Sequence, residues 1–93
     1  MITLDILLAR FTTLDPGDLH RWIAQGFVRP EVTEGELRFE EIDVERVRLI
    51  LDLRDVLEVD ETALPVVLSL VDQVYALRRR LRQLEGGSRL GGE

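Results

Sequence analysis

Six apolar residues near the end of the chain recur at alternating spacings of three and four positions, and this repeat limits the possible folds more than any other feature. They are Val67, Leu70, Val74, Leu77, Leu81 and Leu84. Such a repeat is typical of a coiled-coil seam, the apolar face along which two helices pack. It predicts a helix from about Ala63 to Glu85, with Thr62 as its N-cap. We expect residues 60–85 to be a dimerisation helix, and the aperiodic residues 86–93 to be a disordered tail.

The segment Leu14–Leu19 carries the strongest helix-start signal in the chain. Asp15 suits the N-cap position, and the proline after it suits the first helical position, where no N–H is needed. Gly26 is then placed to end the helix. A shorter helix is predicted over Thr3–Phe11, capped by Thr3 itself. Two short helices joined by a tight turn predict a helix-turn-helix unit.

A small β-hairpin, or wing, is predicted after this unit. The extended runs Phe27–Pro30 and Glu36–Phe39 flank a turn over Glu31–Gly35 that contains a glycine. A third helix is expected from about Glu41 to Leu57. Its predicted buried side consists of Ile42, Val47, Ile50, Leu51 and Leu57. Residues 1–59 are therefore predicted to form a winged helix-turn-helix-like domain, and the whole protein is expected to be mostly α-helical.

The composition argues against several classes of protein. The chain of 93 residues is long enough for one domain, and it contains no cysteine and a single histidine. His20 cannot form a nucleophile–base–orienter set with Ser69 and Ser88, so we expect no enzymatic activity. No metal site and no cofactor are predicted. There is no signal-peptide pattern and no apolar run long enough to span a bilayer, which predicts a cytoplasmic protein that does not bind membranes.

Charge is unevenly distributed along the chain. The net charge is −6, and residues 1–43 hold four Arg and nine acidic residues. A surface of this sign repels nucleic-acid phosphates, so DNA binding is not expected. The basic cluster lies elsewhere, at Arg78, Arg79, Arg80 and Arg82. Because the last helix begins acidic and ends basic, the homodimer is predicted to be antiparallel, with each Arg-rich end meeting the other subunit's acidic end.

Parts of the sequence resemble the MerR family of transcription regulators. The resemblance rests on Leu19–Trp22, on Gly26–Val28 followed by Pro30, and on Arg38–Phe39 before the next helix. It implies a MerR-like winged helix-turn-helix with a small hairpin wing and a long C-terminal coiled-coil helix. The sequence departs from that family where DNA is contacted, because the expected basic and aromatic wing is acidic here.

Over most of its length the chain also resembles the chaperone-modulator family typified by CbpM. The resemblance rests on the opening helix, on Asp15–Gly26, on an acidic hairpin ending at Arg38–Glu41, and on the segments Leu51–Val59 and Leu64–Leu77. It implies a dimeric, non-enzymatic antagonist that binds the J-domain of a DnaJ-like co-chaperone of the CbpA type. Binding would keep the J-domain from stimulating its Hsp70 partner, DnaK.

An acidic, partly apolar surface would suit the basic helix that a J-domain presents. The candidate partner contacts are Asp5, Asp15, Asp18, Trp22, Phe27, Glu34 and Glu36. The acids would supply charge, and Trp22 or Phe27 would supply an apolar anchor. Each acid has an alternative interpretation as a solvated cap or hairpin charge, and Trp22 has one as a core residue. The alternative function is that of a MerR-family DNA-binding regulator, whose affinity for DNA would fall steeply with salt.

Overall fold

The computed structural model describes the backbone of residues 1–91 and the side chains of residues 1–86. The protein is mostly helical, with one small antiparallel sheet and a long C-terminal helix. In chain order, the elements are β1 (Ile2–Thr3), α1 (Leu4–Arg10), α2 (Pro16–Ala24), β2 (Glu31–Thr33), β3 (Glu36–Phe39), α3 (Glu41–Asp55), a 3₁₀ turn (Glu61–Ala63) and α4 (Leu64–Gly91). They fall into two compact units, an N-terminal unit, Met1–Glu61, and a C-terminal unit that begins at Thr62.

The first two helices begin at the predicted caps. The Thr3 hydroxyl oxygen accepts the Ile6 N–H at 3.4 Å, and the Asp15 carboxylate accepts the Gly17 N–H at 2.9 Å. Each bond satisfies an N–H that the first turn of a helix leaves without a backbone partner. Gly26 follows α2 with a φ of 80°, the left-handed conformation in which many helices end. All three sequence predictions are confirmed.

The hairpin is shorter and lies later in the chain than the sequence predicts. Glu34 and Gly35 both have positive φ, 54° and 77°, as the two central residues of a type I′ turn require. This tight turn pairs Thr33 directly with Glu36. The prediction of a first strand at Phe27–Pro30 is therefore wrong, and Glu31–Thr33, predicted as turn, is the strand β2.

A third strand, which the sequence does not predict, completes the sheet. β3 lies in the centre, with β2 on one side and β1 on the other. In β1, Ile2 lies opposite Phe39 and Thr3 lies opposite Arg38. Two residues are too few for an alternating apolar pattern to be seen, which is why β1 is missed.

The core of the N-terminal unit lies where α1 and α3 pack on β3. Its fully buried side chains include Leu7, Leu19, Trp22, Val28, Phe39, Val47 and Ile50. The predicted burial of Ile42 and Leu57 is wrong, since they are 70% and 66% exposed. Val44 is buried in place of Ile42, because it lies three positions before Val47 and shares its face of α3. Leu57 lies beyond α3, which ends at Asp55 and not at the predicted position 57.

The long C-terminal helix is confirmed, but both of its predicted ends are corrected. The α-helix begins at Leu64, and Thr62 lies in the 3₁₀ turn before it and is not the residue that directly precedes the helix. The helix continues past Glu85 to Gly91, so residues 86–91 are not the predicted disordered tail. Extending a helix costs less than starting one, which lets it continue through glycines. The rest of that tail, residues 92–93, lies outside the described residues.

Candidate functional site

Six side chains from α2, from the end of α3 and from the segment after it form one connected cluster in the N-terminal unit. We call it the Arg54 cluster, and its members are Asp18, Arg21, Trp22, Arg54, Asp55 and Glu61. All six lie within Met1–Glu61. Charged groups thus connect α2 to the end of α3.

Arg54 makes contacts in three directions. Its Nη1 donates to Asp18 Oδ2 at 2.8 Å, and its Nε donates to Asp55 Oδ1 at 2.7 Å. Its guanidinium carbon lies 5.5 Å from the ring centroid of Trp22, within the range of a cation–π contact. The Arg54 and Asp18 side chains are only 26% and 25% exposed, so this pair is less screened by water than a surface salt bridge.

Glu61 brings the segment after α3 back to α2. Its Oε1 accepts a hydrogen bond from Arg21 Nη2 and another from the indole N–H of Trp22 at 3.1 Å. Arg21 Nη2 also donates to Asp18 Oδ1 at 2.7 Å. Because Trp22 is fully buried, Glu61 supplies the acceptor that a buried indole N–H needs.

These contacts lower the pKa values of two of the acids, Glu61 and Asp55. The hydrogen bond from Arg21, followed by that from Trp22, holds the pKa of Glu61 below its ordinary value. The hydrogen bond from Arg54 lowers the pKa of Asp55 in the same way. The pKa values of the two guanidinium groups are raised, chiefly by Glu61 for Arg21 and by Asp55 for Arg54. Ionised carboxylates are therefore part of the folded cluster.

The predicted apolar anchors are less accessible than expected. Trp22 has no exposed surface, so its prediction as a partner contact is corrected, and it is a core residue bound to Glu61. Phe27 is half-buried, and its backbone carbonyl accepts a hydrogen bond from Arg46 Nε at 2.9 Å. The predicted surface thus contains little exposed apolar area at the two aromatic positions.

The predicted acidic contacts divide into two groups. Asp15 and Asp18 have structural roles, as the cap of α2 and as the carboxylate that binds both Arg21 and Arg54. Asp5 and Glu34 are exposed, in the first turn of α1 and in the hairpin turn. The fifth predicted acid, Glu36, is also exposed and pairs with Arg38 at 3.2 Å.

Sequence reasoning did not find the cluster. The sequence predicts no role for Arg54, Asp55 or Glu61. One signal was present, because a buried Trp needs an acceptor for its N–H, and the burial of Trp22 was considered. Nothing in the spacing indicates that this acceptor lies 39 positions later, at Glu61.

The predicted dimerisation residues lie on α4 as a mostly exposed apolar row. Val67 is half-buried. The other five are exposed: Leu70 (55%), Val74 (44%), Leu77 (56%), Leu81 (56%) and Leu84 (68%). Tyr75, also on α4, is 49% exposed. Isolated exposed apolar residues are normal, but a continuous row of this kind is typical of a protein–protein interface.

Among the residues that the structure describes, no three His, Cys, Asp or Glu side chains lie close enough together to hold a metal ion. No helix among them has the combination of length and apolar content that crossing a bilayer requires.

Comparisons with known proteins find no match for this chain, whether made against family models, curated proteins or solved structures.

Proposed function

We propose that this protein is a non-enzymatic chaperone modulator that binds the J-domain of a DnaJ-like co-chaperone of the CbpA type and inhibits its co-chaperone activity. The proposal includes a MerR-like winged helix-turn-helix origin for the N-terminal unit, with the hairpin as its wing. We propose the cytoplasm as its compartment.

One observation carries the proposal: two of the four Arg in residues 1–43, Arg21 and Arg38, are bound by the protein's own carboxylates, while several acids remain exposed. Arg21, the only Arg of α2, binds Asp18 and Glu61. Arg38, in the hairpin, binds Glu36. A DNA-binding protein needs such cationic side chains to contact the phosphates of the DNA backbone. The exposed acids favour a cationic protein surface as the partner, and the resemblance to the CbpM family suggests the J-domain.

The test is a titration of a purified J-domain into the protein at low and at physiological salt. We expect binding that weakens with salt, and inhibition of the J-domain's stimulation of Hsp70 ATPase activity. The substitutions Asp5→Lys and Glu34→Lys together should weaken binding, since both acids are exposed and neither is a member of the Arg54 cluster. Asp15 and Asp18 are left unchanged because reversing them would disrupt the start of α2.

A matched control changes the net charge by the same amount outside residues 1–43. This control is the double variant Glu45→Lys, Glu85→Lys. The ion pair that it removes, between Glu45 and Arg48, is exposed and therefore contributes little to stability. Equal affinity of the two double variants would reject this placement of the site. Absence of J-domain binding, together with salt-sensitive binding to duplex DNA, would favour the regulator function instead.

We further propose that two copies associate through α4 in antiparallel orientation. A single two-fold axis between Val74 and Leu77 would pair Val67 with Leu84, Leu70 with Leu81, and Val74 with Leu77 of the second copy. Each of the six seam residues then packs against a seam residue of the second copy, as an antiparallel coiled coil requires. The segment Arg78–Arg82 would lie beside residues 69–73 of the second copy, whose only charged residue is acidic.

Cysteine crosslinking tests this register, because the chain has no cysteine of its own. A mixture of Val67→Cys and Leu84→Cys chains, refolded together, should form a disulfide between the two variants. Leu84→Cys alone should not crosslink to itself. Ready self-crosslinking of Leu84→Cys would indicate a parallel pair, and a monomeric mass in solution would reject the dimer.

A further inference from the structure

The segment directly after α3 presents two adjacent apolar side chains to solvent. Val56 is 71% exposed and Leu57 is 66% exposed. The exposed large apolar side chains elsewhere in the N-terminal unit are Met1, Ile6, Val32 and Ile42. None of these four is next to another in sequence, so the Val56–Leu57 pair is the one place in this unit where neighbouring residues both expose apolar side chains.

The backbone holds this pair in place. The N–H groups of Val56 and Leu57 both donate to the Asp52 carbonyl at 3.0 Å, and the Val59 N–H donates to the Leu53 carbonyl at 2.7 Å. A short segment fixed in this way loses little conformational freedom when a partner binds, which favours affinity.

Three acidic residues lie close to the pair in sequence. Asp52 lies one helical turn before Val56 and shares its face of α3, while Asp55 and Glu58 flank the pair in sequence; all three are exposed. Asp55 is held by Arg54, which also binds Asp18 on α2. The pair therefore borders the Arg54 cluster, in which the contact between Arg54 and Asp18 links the end of α3 to α2.

We propose that Val56 and Leu57 are the apolar anchor of a docking surface for a positively charged amphipathic segment of a partner protein. The acids around them select Lys and Arg in the partner, and the two apolar side chains supply the contact that holds it. Val56 and Leu57 thus supply the apolar anchor that the sequence predicts at Trp22, which is buried and cannot contact a partner. With the function proposed above, on which this assignment of the partner rests, the segment is the basic helix of the J-domain.

The experiment compares two double variants of the full chain. Val56→Ser with Leu57→Ser removes the anchor, and Val32→Ser with Ile42→Ser is the control, because Val32 and Ile42 are 71% and 70% exposed in the same unit. In a titration with a purified J-domain, the first variant should lose about tenfold or more in affinity, as for central anchors in other interfaces. The control should bind like the wild type. Equal affinities would overturn the inference and leave the proposed function standing.

A second probe keeps the inference testable if the J-domain does not bind at all. A short amphipathic helical peptide of Leu and Lys should bind the wild type, and the same peptide with Glu in place of Lys should not. Binding should be lost in the Val56→Ser, Leu57→Ser variant, and it should weaken at low salt in an Asp52→Asn, Glu58→Gln variant. Failure of the Leu–Lys peptide to bind would overturn the inference.

The same variants distinguish a second copy of the chain from a foreign partner. The mass in solution should be the same for the wild type and for Val56→Ser with Leu57→Ser. A lower mass for the variant would show that the pair is covered by another copy, and it would overturn the assignment to a cationic partner.

Discussion

The guanidinium group of Arg54 lies over the indole ring of Trp22, 5.5 Å from its centroid, and binds Asp18 from the same position. The two residues belong to different helices, α3 and α2. One cation thus covers an aromatic face and bridges two carboxylates, so it contributes both packing and charge to this helix contact.

Replacing Arg54 should therefore destabilise the fold. Arg54→Ala removes the cover over Trp22 and the bridge between Asp18 and Asp55, and we expect a loss of about 1–3 kcal/mol in the free energy of unfolding. Arg54→Lys keeps the positive charge but lacks the planar guanidinium group that binds both carboxylates. Its loss in the free energy of unfolding should therefore be smaller but still measurable. Urea denaturation of both variants checks this, and a wild-type midpoint for Arg54→Ala would contradict it.

Glu61 gives a second prediction, based on the buried indole N–H. Glu61→Ala leaves the Trp22 N–H without an acceptor, at an expected cost of roughly 1–3 kcal/mol. Glu61→Gln is the matched control, because its amide oxygen can still accept that hydrogen bond while the charge pairing with Arg21 is lost. Thermal and urea unfolding should rank the wild type first, Gln second and Ala last. Equal stability of Ala and Gln would mean that the indole bond contributes nothing.

The lowered pKa values of Glu61 and Asp55 predict a loss of stability in acid. A group whose pKa is lower in the folded state stabilises the fold fully above its unfolded pKa, and this contribution is lost as pH falls through the folded pKa. For Glu61 the loss begins near its ordinary value of 4.5. The difference in stability between wild type and Glu61→Gln should therefore shrink as pH falls below this value. An unchanged difference between neutral and acidic pH would contradict the pairing with Arg21.

The cap of α2 gives a fourth prediction. Asp15→Ala removes the acceptor for the Gly17 N–H and should cost about 1 kcal/mol. Asp15→Ser should cost much less, because its hydroxyl oxygen can cap the same turn. Chemical denaturation measures both. If Ser is as destabilising as Ala, the charge of Asp15 and not its hydrogen bond is what matters.

The hairpin turn gives a fifth prediction, of opposite sign at adjacent positions. Gly35→Ala should destabilise the fold by about 1–2 kcal/mol, because φ is positive there and an L side chain disfavours that conformation. No neighbouring atom crowds the new Cβ, so the whole cost is backbone strain. Glu34→Asn should leave stability unchanged or raise it, because Asn is favoured at this position of a type I′ turn. It also removes an exposed acid of the proposed J-domain surface without damage to the fold. A destabilised Glu34→Asn variant would contradict the turn type.

The elements that the sequence determined are those whose signals are local. The caps at Thr3 and Asp15, the end of α2 at Gly26 and the long helix α4 each depend on hydrogen bonds or periodicity within a few turns of the chain. Such interactions form between near neighbours whatever the rest of the molecule does, so residue order is enough to predict them.

Tertiary structure decided what depends on distant neighbours. The pairing of β1 with β3, the contact of Trp22 with Glu61 and the bridge of Arg54 to Asp18 each join residues far apart in sequence, and no spacing encodes these contacts. Burial of Trp22 in turn removed the predicted aromatic anchor and left Val56 and Leu57 as the exposed apolar pair. A side chain becomes core or surface only when other elements cover it, and that is a property of the assembled fold.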